Sequence, residues 1–273
     1  MAKFGALVDG LRLCNNLGLT SMMIDSNSKL LMVLFNGRED PPWSIEYRPF
    51  ERNLNLLLLE SIYNEGWDSG FYKNTEGEDP DRVYGLFLCR GDVSFDVCQN
   101  CTKDATQNIV KQCPGQKSAI IWYDECLIRY SNTSFFSIMT ETPGLFMWNT
   151  QNVSEPDRFN KTLSDMFKVL ANQTAFDPSI PMYATGRIEV SNFSDFEKLY
   201  GLAQCTQDLS RPDCYRCLGN AISTLLEFCY GMKGGRVLGP SCSVRYEVYP
   251  FTEDPKVAAP PPTLIDRKYI SQR

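Results

Sequence analysis

Two pairs of cysteines stand at a spacing that often carries chemistry: Cys98 with Cys101, and Cys214 with Cys217. A C-x-x-C pair can be a dithiol redox couple, half of a zinc site, or the anchor of two structural disulfides. A redox couple needs an exposed thiolate of lowered pKa, and no neighbouring base supplies one here. Zinc needs two more ligands per pair, and the next cysteines lie 12 and 25 residues on, not in a second C-x-x-C. Structural disulfides are the favoured reading, with zinc and redox chemistry behind it. No metal and no cofactor is expected.

Composition narrows the chemistry further. The 273 residues include no histidine, so Ser-His-Asp and Cys-His catalysis, HExxH zinc sites and histidine pH switching are excluded. The 27 basic and 33 acidic residues give a net charge of −6, which argues against a nucleic-acid or anionic-membrane partner. No acid pair suited to glycoside hydrolysis can be singled out among so many. No catalytic residue is assigned, and the chain reads as a non-enzyme.

Two signals point to a secretory route. Eleven cysteines are many for a reduced cytosolic protein. Asn-x-Ser/Thr sequons stand at Asn132, Asn152, Asn160, Asn172 and Asn192, all candidate glycosylation sites. A further sequon at Asn100 is set aside because its middle residue is Cys101. The N-terminus does not agree, since Met1 to Thr20 is broken by Asp9, Arg12 and Asn15 and lacks the apolar core of a signal peptide. Either this start is not native or the export signal has been lost. No stretch approaches the 18 apolar residues of a membrane span.

The elements that position the cysteines come in two copies. Cys89, Cys98, Cys101, Cys113 and Cys126 recur 116 residues later as Cys205, Cys214, Cys217, Cys229 and Cys242. Tyr84-Gly85-Leu86 recurs as Tyr200-Gly201-Leu202, and Arg129-Tyr130 as Arg245-Tyr246. This is an internal repeat. Upstream of each block, Phe50, Leu54, Leu57, Leu58 and Ile62, and then Phe159, Leu163, Met166, Phe167 and Leu170, follow a helical period. That helix recurs after 109 residues, which places seven extra residues in the second copy, assigned to the polar stretch around Asn172, Asp177, Pro178 and Pro181.

Arg82 to Arg90 and Leu199 to Cys205 read as strands. Ser94 and Ser210 are placed to cap helices running to about Cys113 and Cys229. Ser118 to Tyr130 and Arg236 to Tyr249 read as a strand pair or one bent strand. Trp122, Tyr123 and Tyr130 are expected to pack the sheet, and Glu76, Glu78, Asp79 and Asp81 to form a solvated turn. The fold class is α+β: two tandem antiparallel sheets, each with two helices on one face. The expected divisions are an atypical, poorly ordered leader at 1–44, a first domain at 45–140, a second at 141–251 and a proline-rich tail at 252–273.

The C-x8-C-x2-C spacing, with YGL before it and Arg-Tyr after the fifth cysteine, resembles the ginkbilobin-homologous (stress-antifungal) domain of land plants. So do Leu86 to Ser94 and Gly234 to Cys242. Tandem copies followed by a proline-rich stretch resemble the extracellular region of cysteine-rich receptor-like protein kinases or cysteine-rich repeat secretory proteins. The resemblance implies the disulfides Cys89–Cys98, Cys101–Cys126, Cys205–Cys214 and Cys217–Cys242. It also implies a bridge from each fourth cysteine to one before the first helix, and that cysteine is missing in both copies. Trp148 holds its place in the second copy, and the first copy's place falls near Glu39. Cys113 and Cys229 are thus expected to be unpaired, and Cys14 is uncertain.

A sugar-binding member of that family uses an asparagine, an arginine and a glutamate whose positions match Asn149, Arg236 and Glu247. The first copy holds about Asp40, Ile120 and Ser131 there. Amide, guanidinium and carboxylate together suit vicinal hydroxyls; a surface Arg-Glu pair of little energetic value is the plain alternative. The resemblance implies a non-catalytic extracellular recognition module for a mannose-type or cell-wall carbohydrate, in plant defence or stress signalling. Alternatives are a protein-interaction module pairing with receptor-like kinases or other tandem-domain proteins, and a thiol redox sensor acting through Cys113 and Cys229.

Overall fold

The structure is a computed structural model and describes residues 22–24, 32–35, 49–62, 69–190 and 196–252. The first repeat begins with β1 (Met22–Ile24) and β2 (Met32–Phe35), followed by α1 (Pro49–Leu56), which runs on into a π-helical turn, Leu57–Ile62. Then come β3 (Phe71–Glu76), β4 (Val83–Cys89), α2 (Phe95–Gln112), β5 (Ser118–Trp122) and β6 (Cys126–Ser131). The second repeat comprises β7 (Leu145–Trp148), α3 (Pro156–Phe176), β8 (Tyr183–Glu189), β9 (Lys198–Cys205), α4 (Arg211–Phe228), β10 (Gly234–Leu238) and β11 (Cys242–Glu247). All neighbours are antiparallel, in the orders β1-β2-β5-β6-β4-β3 and β7-β10-β11-β9-β8. This is the α+β class read from the sequence.

Each sheet buries one face under its two helices. In the first repeat Phe50, Leu54, Leu57, Leu58 and Ile62 meet Phe87, Ile109, Ile121 and Ile128. In the second, Phe159, Leu163, Phe167 and Leu170 meet Leu199, Leu218, Leu225 and Val244. The repeated glycine of YGL has a steric reason. A Cβ at Gly85 would lie 2.6 Å from the end of the Leu57 side chain, and one at Gly201 2.5 Å from the end of Met166, so any larger residue would displace the helix side chains packed there. The repeated tyrosine is fully buried in both copies. Tyr130 donates its hydroxyl to Gln116 O at 3.3 Å, and Tyr246 to Met232 O at 3.0 Å.

The capping serines act as their spacing predicts. Ser94 Oγ accepts from Val97 N, and Ser210 Oγ from Asp213 N. All four expected disulfides are present, two closing nine-residue separations and two closing 25. The strand-pair reading of Ser118–Tyr130 and Arg236–Tyr249 holds, as β5/β6 and β10/β11.

Three expectations are corrected by strand register. Phe35 pairs with Ala119 as Trp148 pairs with Gly235, so Trp148 corresponds to Phe35 rather than Glu39, and Asn149 to Asn36 rather than Asp40. Counting back from the helix misplaced them because the strand-to-helix connection is four residues longer in the first repeat. The seven extra residues do not form one insertion. Phe71 pairs with Leu88 and Tyr183 with Gln204, which puts three of the seven before β8 and four between β8 and β9. Asn172 lies inside α3 instead of in a loop. Finally, the leader contributes β1 and β2 to the first sheet, where the sequence suggested no order. The rest of the leader, Cys14, Asn192 and tail residues 253–273 lie outside the described residues.

Candidate functional site

The faces of the two sheets that carry no helix are packed together. Leu86, Leu88, Ile120, Trp122 and Leu127 of the first sheet form one buried cluster with Leu145 and Leu238 of the second, and with Phe135 from the connection between repeats. Polar bonds cross the same seam. Gln204 Nε2 donates to Cys89 O at 2.8 Å, and Trp122 Nε1 to Gly239 O at 3.4 Å.

The expected sugar-binding arginine lies in this seam. Arg236 on β10 ion-pairs through Nη1 with Asp124, in the β5–β6 turn of the first repeat, and donates from Nη2 to Tyr123 O at 3.3 Å. Its side chain is only 13% exposed. Arg245 stands opposite Arg236 on β11, 3.9 Å from Asp124, and donates to Glu247 Oε1 at 3.2 Å from both Nε and Nη2. Glu247 is buried against Gly234, where an added Cβ would lie 2.1 Å from its carboxylate. Asn149 is half-buried; its backbone N–H donates to Gly234 O at 2.8 Å, and its Oδ1 accepts from Gln151 N at 2.9 Å. The triplet therefore gathers around the start of β10, with its arginine and glutamate engaged by protein partners.

Electrostatics follow from this packing. Burial alone would raise the Asp124 carboxyl, but Arg236 and Arg245 outweigh it and hold it below the usual aspartate range. Glu247 goes the other way: burial raises it, and Arg245 only partly compensates. Burial lowers Arg236, offset in part by Asp124. Beside them Arg90 donates to Asp92 Oδ1 at 2.5 Å and to Phe251 O at 3.3 Å, tying the end of the second repeat to the first.

One repeated device was legible in the sequence and missed. Arg129 stacks on Phe135 with 4.0 Å from guanidinium carbon to ring centre, and Arg245 on Phe251 with 4.3 Å. Phe135 and Phe251 are 116 residues apart, as are the arginines, so an Arg-Tyr-x4-Phe pattern was available. Burial lowers the Arg129 pKa to about 10, against the opposing charge of Asp208.

The remaining candidates fall into place individually. Cys113 and Cys229 are free, buried thiols, and burial pushes both up to about 12. A buried thiol raised in this way forms little thiolate at neutral pH, which weighs against the redox reading. Asn132, Asn152 and Asn172 are exposed; Asn160 is half-buried and accepts from Gly231 N at 3.4 Å. Trp122, Tyr123 and Tyr130 are buried in packing, as expected. Among the described residues no cluster of metal-ligating side chains is present, and no helix is long and apolar enough to cross a membrane.

Fold and seam together define the class: two disulfide-stapled α+β repeats packed sheet to sheet, a construction suited to an oxidising, extracellular setting. The profile of the salt stress response/antifungal family matches residues 44–133 and again 147–249, and the chain belongs to that family. It is 47% identical to an antimicrobial ginkbilobin-2-like protein of Castanea crenata, over 74% of this chain and 81% of that protein. It is 38% identical to cysteine-rich repeat secretory protein 38 of Arabidopsis thaliana, over 75% of this chain and 79% of that one. The match to cysteine-rich receptor-like protein kinase 25 of the same plant, 40% identical over 85% of this chain, spans only 36% of the kinase. Among solved structures, the tandem DUF26 ectodomain of the Arabidopsis thaliana cysteine-rich receptor-like protein PDLP5 superposes with a TM-score of 0.63 at 26% identity, covering 80% of this chain and 98% of that one.

Proposed function

We propose that the chain is a non-catalytic extracellular recognition module in plant defence or stress signalling, whose two repeats act as one body. The observation that carries this reading is the Arg236–Asp124 pair, which turns the side chain best suited to fork a diol onto the first repeat instead. Recognition then belongs to the composite outer surface, and pairing with receptor-like kinases or other tandem-domain proteins is the partner class. Glycans at Asn132, Asn152, Asn160, Asn172 and Asn192 would accompany a secretory route.

A second reading, a mannose-type sugar held by Asn149, Arg236 and Glu247, is favoured by one observation. Asn149 and Glu247 flank Gly234 from the two neighbouring strands, so a residue without a side chain separates them. Calorimetric titration of glycan-free protein with mannose separates the two. The first reading expects no saturable heat. Saturable heat that Arg236→Ala and Glu247→Ala both abolish overturns it in favour of the sugar site.

A further inference from the structure

The repeats differ at one more place, on the helix side of the second sheet. In the first repeat Tyr123, directly after β5, is buried, and its hydroxyl accepts a 2.8 Å hydrogen bond from Asn108 Nδ2 of α2. The residues 116 positions later are Gly239 and Thr224. The backbone turn is the same in both repeats: Tyr123 N donates to Cys126 O at 2.8 Å, and Gly239 N to Cys242 O at 2.9 Å. The ring is missing, and a cavity of about 220 Å³ lined by Gly239 and Thr224 opens between α4, β7 and β10.

We propose that this cavity binds a single hydroxylated aromatic ring, as a free small phenol, seated where Tyr123 sits in the first repeat. The size fits, since an apolar cavity of about 150 Å³ admits benzene. Phe146, Val237 and the Cys217–Cys242 disulfide supply apolar walls that desolvate a ring. The polar side offers acceptors. Thr224 Oγ1 donates to Asn220 O at 3.1 Å and keeps lone pairs for a ligand hydroxyl. Asn220 Nδ2 donates to Glu141 Oε1 at 2.7 Å, which fixes an amide and a carboxylate at the rim. A neutral O–H donor matches these groups; an anionic ring would face the Glu141 carboxylate.

The test titrates the full chain with p-cresol, with toluene as the control lacking the hydroxyl, followed by backbone NMR shifts. The expected result is saturable p-cresol binding with shifts confined to α4, β7 and β10, at least fivefold tighter than toluene. Thr224→Val should bring the two ligands within about twofold of each other. The double variant Gly239→Tyr/Thr224→Asn rebuilds the first repeat's arrangement and should weaken p-cresol at least tenfold. A Cβ at position 239 would lie 2.9 Å from Cys242 O, so Ala221→Leu, which extends a side chain into the same space, serves as an independent blocking variant. The proposal is overturned by absent or non-saturable p-cresol binding, by equal affinity for toluene, or by undiminished binding in both blocked variants. Tighter binding of a tyrosyl peptide than of p-cresol also overturns it, by moving the source to a protein partner.

Discussion

The two repeats share a cysteine spacing and a core, yet present different faces to one another. The first sheet offers Leu88, Ile120 and Leu127 where the second has Gln204, Arg236 and Ser243. An apolar face can be buried against a partly polar one only if every polar group finds a partner. Here Asp124 meets Arg236, Arg245 meets Glu247, and Gln204 meets a backbone carbonyl of the first repeat. The helix-covered cores keep the same glycine and tyrosine in both copies because the same helix-on-sheet packing is solved twice. Divergence therefore concentrates where the copies stopped being equivalent: at the seam, and at the vacated tyrosine position.

The likeness of the two cores can be broken at the disulfides. Cys101→Ser/Cys126→Ser and Cys217→Ser/Cys242→Ser each open a 25-residue separation and should cost about 3 to 4 kcal/mol by loop entropy. Denaturant unfolding should show similar losses for the two pairs. A loss confined to one repeat would mean that the second bridge acts mainly by some means other than chain constraint.

The unlikeness of the two faces can be sharpened at the seam. Arg236→Ile gives the second repeat the first repeat's residue and leaves Asp124 with the weaker influence of Arg245 and Arg90. Removing one partner of a fully buried pair costs about 3 to 5 kcal/mol. Asp124 is 34% exposed, so about 1 to 2 kcal/mol is expected here. Adding Asp124→Asn should recover part of the loss, and a double-mutant cycle by chemical denaturation measures it.

The smallest effect is the pH response of the same pair. The Asp124 pKa is lowered in the folded state, so its contribution is present above the unfolded value of about 3.9. That contribution is lost as pH falls through the lower folded value. Glu247 is raised, so its ionisation opposes folding as pH climbs through its folded value. Melting temperature measured from neutral to strongly acidic pH should fall less steeply on the acid side for Asp124→Asn. For Glu247→Gln it should fall less as pH rises above the usual glutamate range. Curves parallel to the parent's would refute the assignment.

Much of the fold was legible because it rests on local and repeated signals. Ser94 and Ser210 announced helix starts, the apolar period announced α1 and α3, and the ten repeated cysteines marked two domains. β3, β7 and β8 escaped notice because short strands with mixed burial carry no strong alternation: β3 is half-buried or exposed along its whole length. The residue types of the sugar triplet were legible, but their engagement was not, since Asp124 is 112 residues from Arg236. The 116-residue offset matches Gly239 and Thr224 to Tyr123 and Asn108, but only the tertiary structure shows that the latter two are bonded to each other and that a cavity lies beside the former.

By itself, the amino-acid sequence determined the repeat, the fold class, the family and the two cysteines left without partners. Each of these depends on spacing along one chain or on residue type. Tertiary structure alone decided which sheet faces meet, that Arg236 is turned onto Asp124, and that a cavity stands where the first repeat keeps a tyrosine. The reason is physical: a side chain's partner is set by packing between segments far apart in sequence, and burial then determines its charge state and what it can still bind.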